Sequence, residues 1–102
     1  MSDSSNPQEV YSLIDKIVED PNHTLPEGIT AIIKNAEFHS GKYISGTIWY
    51  DRNKRFPDGY GINTSRIVAK ELGGIYITYG KARYLVEFVA PEDYNIEINK
   101  GK

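Results

Sequence analysis

Thr64-Ser65-Arg66 sets two hydroxyls and a guanidinium in succession, shortly after the Asp58-Gly59 turn signal. Such a set can hydrogen-bond a phosphate or a carboxylate. Read as a strand, Tyr60, Ile62, Thr64 and Arg66 share one face and Ser65 points away. Read locally, Thr64 is an ordinary strand residue and Ser65 caps a short turn, the use Ser and Thr most often find. Trp49, Tyr43, Tyr60, Tyr76, Tyr79 and Tyr84 accompany Arg52, Arg55 and Arg83. This mixture stacks bases on single-strand-binding β platforms, and it equally anchors protein interfaces. The residues singled out for ligand binding or an interface are Trp49, Arg55, Tyr60, Thr64, Ser65, Arg66, Tyr79 and Arg83.

Catalytic sets are missing. His23 lies in the Pro-flanked loop from Asp20 to Pro26, and His39 lies at a hairpin tip. There is no H-x-x-x-H pair, no phosphate loop ending in Lys-Ser/Thr and no G-x-S-x-G elbow. Glu37 and His39 could share a strand face, which makes two metal ligands but not a site. Asp51 and Asp58 could pair for acid–base work, yet Asp58-Gly59 is already explained as a turn. The sequence reads as non-enzymatic and implies neither metal nor cofactor.

The elements that must position these groups are one helix and then strands. Asn6 can cap, Pro7 suits the first helical position, and Glu9 supplies an early acid. Val10, Leu13, Ile14, Ile17 and Val18 then recur at helical spacing until Glu19-Asp20-Pro21 ends the run. From Ile29 the period becomes two. Strands are expected over Ile29–Phe38, Lys42–Asp51, Tyr60–Val68, Ile75–Tyr79 and Ala82–Val89, with Ser65–Leu72 open to a short helical turn instead. Gly46, in mid-strand, marks a bulge, a bend or a close approach. Residues 1–6 and 95–102 read as flexible tails, with Ile96 and Ile98 able to add a short strand. The fold class expected is α+β, a single domain over 1–102, with one N-terminal helix packed on a curled antiparallel sheet or small barrel of about five strands. Ile14, Ile17, Ile48, Ile77, Leu85 and Val86 are the expected core.

Composition bounds what such a domain can do. At 102 residues it can bury a real core with little surplus stability. The absence of Cys excludes disulfides, thiolate metal sites and thiol nucleophiles, and fits a reducing cytoplasm. No apolar run approaches the roughly 20 residues that cross a bilayer, and the polar opening Met1–Asn6 does not read as a signal peptide. Net charge is −2, but it is unevenly spread. Residues 42–85 carry eight cations against three carboxylates, whereas residues 1–41 carry two against seven. A basic middle can face an anionic partner, or simply neutralise the acidic helix. The overall pI of about 5.6 is low for a nucleic-acid binder.

The run F-P-D-G-x-x-I-x-T-S-x-I at Phe56–Ile67, followed by Y-I-T at Tyr76–Thr78 and R-Y-L-V at Arg83–Val86, resembles small accessory proteins of tailed bacteriophages. The resemblance covers residues 42–88. It implies a viral protein of the infected bacterial cytoplasm that binds and modulates a host or defence protein. Beside it stands a second expectation: a nucleotide or single-stranded nucleic acid held by the basic, aromatic middle, including sequestration of a cyclic nucleotide signal. A homo-oligomer is expected if the two-sided apolar sheet needs cover. No membrane partner is expected.

Overall fold

The computed structural model describes residues 6–99. The helix α1 (Pro7–Glu19) starts where Asn6 accepts a hydrogen bond from the Gln8 amide at 3.0 Å, and it ends at Asp20. Its apolar stripe buries Val10, Ile14 and Ile17 and leaves Leu13 half exposed. A 13-residue helix is marginal alone, so docking holds it. Val10 packs on Gly74, where a Cβ would lie 2.9 Å from both valine methyls. At the next residue, the Tyr11 hydroxyl donates to the Phe88 carbonyl at 3.1 Å. Full burial of Ile14 contributes about 1.5–3 kcal/mol.

Six strands follow: β1 (Ala31–His39), β2 (Tyr43–Trp49), β3 (Tyr60–Asn63), β4 (Ile67–Glu71), β5 (Ile75–Thr78) and β6 (Arg83–Phe88). They form one open sheet in the order β3-β2-β1-β6-β5-β4. The sheet is mixed, because β1 and β6 run parallel while every other pair is antiparallel. The domain is therefore α+β with its N-terminal helix, as expected, but the curled or barrel-like antiparallel sheet of about five strands is corrected. The C-terminal hairpin pairs alongside β1, and no ladder joins the edge strands β3 and β4.

The expected strand Tyr60–Val68 divides because its two halves serve opposite edges. Thr64 still donates to the Ile44 carbonyl at 2.8 Å; the chain then bends at Ser65 and enters β4, which pairs with β5. Residues 67–71 are strand, which settles the alternative of a helical turn there. Gly46 marks a close approach: a Cβ there would meet the Ile33 methyl at 2.7 Å and the Lys34 carbonyl oxygen at 2.8 Å, beside the irregular register of β1 between Lys34 and Glu37.

Ile14, Ile17, Ile48, Leu85 and Val86 are buried as expected, but Ile77 is only half-buried. In β5 the alternation turns Tyr76 and Thr78 inward instead, so Ile77 takes the other face. Tyr76 joins Phe38, Phe88 and Tyr94 in an aromatic cluster, with ring centroids 4.8–6.0 Å apart. Tyr94 sits on a 3₁₀ turn (Pro91–Asn95), and its hydroxyl donates to the Val86 carbonyl at 2.6 Å. Residues 95–99 lie against the domain. Ile96 and Ile98 pack on the core without forming a strand, and the Asn99 amide donates to the Gly41 carbonyl at 2.7 Å. The rest of the expected tails, residues 1–5 and 100–102, lies outside the described residues.

Candidate functional site

The eight residues singled out from sequence fall into separate places. Thr64, Ser65 and Arg66 form the link between β3 and β4. Thr64 Oγ1 accepts from the Ile44 amide at 3.0 Å, and the Arg66 guanidinium reaches the Asn99 carbonyl at 3.5 Å. Tyr79 lies beside this link at the end of β5, its amide donating to the Arg66 carbonyl at 2.7 Å. Arg66, Ile67, Val68 and Tyr79 line a shallow depression of about 300 Å³. Arg83 is elsewhere, donating to the Gly28 carbonyl at 3.1 Å and pairing with Glu71.

Trp49, Arg55 and Tyr60 surround the loop that leaves β2. Trp49 is half-buried; its indole N–H donates to Thr47 Oγ1 at 3.0 Å, and Gly59 passes within reach of its ring. Tyr60 stacks on Phe56 with centroids 5.4 Å apart, and the Arg55 guanidinium lies over the Phe56 ring at 5.5 Å.

This loop is built on Asp51, whose side chain is almost fully enclosed. Its carboxylate accepts from the Asn53 amide at 3.1 Å, the Arg55 amide at 3.0 Å and Arg55 Nε at 3.1 Å. Burial pushes this carboxyl up, but the hydrogen bonds from Arg55 and the Asn53 and Arg55 amides, with the Arg55 charge, outweigh it and hold the group below the usual range. Arg55 reaches on to the Tyr84 hydroxyl at 3.2 Å, tying the loop to β6. Asp58 accepts from the Tyr50 amide at 2.8 Å. Both aspartates thus organise the backbone of this loop.

Between this loop and residues 22–25 lies a groove of about 750 Å³. Asn22, His23 and Leu25 line it on one side, and Tyr50, Arg52, Lys54, Phe56 and Asp58 on the other. His23 stacks on Tyr50 with centroids 4.2 Å apart and planes within 9°. Because a carbonyl can only accept, the contact of His23 Nδ1 with the Ile17 oxygen at 3.1 Å places the hydrogen on Nδ1 in the neutral ring. Burial, then the Asp58 charge, raises the Tyr50 phenol above its ordinary value. His23, Tyr50 and Lys54 are three of the six non-glycine residues with left-handed φ among the described residues.

Sequence reasoning missed this groove. His23 read as a surface loop residue and residues 52–59 as a polar loop. The signal available was the density of cations and rings in Tyr50–Phe56, which says nothing of what lies opposite. At the other candidate pair, His39 Nε2 contacts Ser45 Oγ at 2.7 Å and lies 4.0 Å from Glu37. Among the described residues no three metal-ligating side chains cluster, and no helix is long and apolar enough to cross a membrane. Comparison with family models, with curated proteins and with solved structures returned no match.

Proposed function

We propose that this is a non-enzymatic accessory protein that binds and modulates a host or defence protein, with Tyr79 as the anchor of its contact face. The observation that carries this reading is Tyr79 itself. It is 77 % exposed, the most exposed large apolar side chain among the described residues. Its backbone is nonetheless fixed, through its amide to Arg66 and through the turn in which Lys81 donates to the Thr78 carbonyl at 2.8 Å and Ala82 to Thr78 Oγ1 at 3.1 Å. An aromatic ring displayed on a rigid frame loses little entropy on binding and suits a protein hot spot. Val68, 39 % exposed on edge strand β4, extends the apolar surface beside it. The viral setting rests on the resemblance carried by residues 56–86, and it directs the search to proteins of the bacterial cytoplasm.

Affinity capture from bacterial lysate, followed by titration of the retained protein, tests this reading. Tyr79→Ala should weaken binding by about 30-fold, the equivalent of a hot-spot loss of about 2 kcal/mol, with an unchanged melting temperature. Retention of the partner at wild-type affinity by the folded variant would exclude Tyr79 as the anchor.

A further inference from the structure

We propose that the groove between residues 22–25 and 50–58 is a binding site for nucleoside phosphates, held by side chains alone. Its volume of about 750 Å³ lies in the range of small-ligand sites. Five consecutive or near-consecutive backbone donors of the loop are already engaged. The Tyr50 amide goes to Asp58, the Arg52 amide to the Thr30 carbonyl, the Asn53 and Arg55 amides to the Asp51 carboxylate, and the Lys54 amide to the Asp51 carbonyl. An extended peptide, which relies on main-chain pairing, therefore finds few partners along this loop.

What remains are rings, the cations Arg52 and Lys54, and one carboxylate, Asp58, which accepts from the Tyr50 amide. Tyr50 and Phe56 line the groove; Tyr50 is braced by His23, and Phe56 by Tyr60 and by the Arg55 guanidinium over its ring. Braced rings stack a planar ligand with little loss of side-chain freedom. The charges are unevenly met. Asp51 is consumed by Arg55, whereas no carboxylate pairs with Arg52 or Lys54 among the described residues. Arg52 donates only to the Ile29 and Pro26 carbonyls, at 3.0 and 3.3 Å, which fix its guanidinium without neutralising it. A ligand with one flat apolar face and one anionic group meets both demands, and nucleoside phosphates are that class. The left-handed φ of His23, Tyr50 and Lys54 is local strain gathered around this one groove. The inference does not depend on the host-protein reading, since Tyr79 does not line the groove.

Amide chemical-shift titration of the full chain with adenosine 5′-monophosphate, adenosine and inorganic phosphate tests it. The nucleotide should perturb amides of residues 22–25 and 50–58, and should bind more tightly than adenosine or phosphate alone. Lys54→Asn removes the charge while asparagine tolerates the left-handed backbone at φ 57. It should weaken nucleotide binding by about tenfold, with no change in melting temperature, as expected for one charge-assisted contact. Lys54→Arg should retain binding, and Tyr79→Ala should leave it untouched. Absence of shifts at millimolar nucleotide, shifts mapping elsewhere, phosphate binding as tightly as the nucleotide, or an unaltered affinity in Lys54→Asn would each overturn the proposal.

Discussion

Asp51 shows how one residue converts a polar loop into a fixed surface. Its carboxylate, enclosed and carrying hydrogen bonds from two amides and a guanidinium, decides the shape of Tyr50–Phe56. Arg55 is itself partly exposed, which screens its charge, so the effect is shared between the Arg55 side-chain hydrogen bond and the two amide bonds. Asp51→Asn would set an amide nitrogen against an N–H donor and should cost about 1–3 kcal/mol at neutral pH. The pH dependence has a defined sign. The folded pKa lies below the unfolded one, so the stabilisation is complete above the ordinary carboxylate range and is lost as pH falls through the folded value. Melting temperature followed from pH 7 into the acid range should therefore fall less steeply for Asp51→Asn than for the parent chain. Parallel curves would remove Asp51 from this role. The sequence displayed Asp51 plainly, but only tertiary contact separates a buried organiser from an exposed carboxylate.

The elements were largely legible because their signals are local. Asn6-Pro7 and Pro21 bracket the helix, and period-two patterning marks the strands. Gly46 is the sharpest case: a glycine in mid-strand signals an anomaly, and the structure resolves it as contact with Ile33 and the Lys34 carbonyl. Because one of those neighbours is backbone, rotamer adjustment cannot relieve the crowding. Gly46→Ala should destabilise the fold by about 1–3 kcal/mol, read by denaturant titration, and a neutral result would mean that β1 yields readily at this point. The break at Ser65 was legible only as one of two readings, a continuous strand or a short turn capped by Ser65. What the sequence could not show is which edge each half pairs with. Ile77 misses its expected place in the core for a related reason: alternation fixes that Ile77 and Tyr76 face opposite ways, not which way is in.

At the scale of the molecule, the feature hidden from the sequence was the parallel pairing of β1 with β6, two strands some fifty residues apart. Periodicity reports faces and says nothing about neighbours, so an all-antiparallel meander was the natural expectation and a mixed open sheet the outcome. The residues Tyr84, Leu85 and Val86 of β6 are buried from both faces within one chain. Tyr79 stands exposed at one site, and the groove between residues 22–25 and 50–58 opens at another. The most direct measurement of the proposed function is site-specific photo-crosslinking in bacterial lysate, with the reactive side chain at position 79 and, as control, at Leu13, a half-exposed position on the helix. The same host protein should be captured in quantity from position 79 and only weakly from position 13. Equal capture from both, or capture from position 13 alone, would contradict a contact face centred on Tyr79.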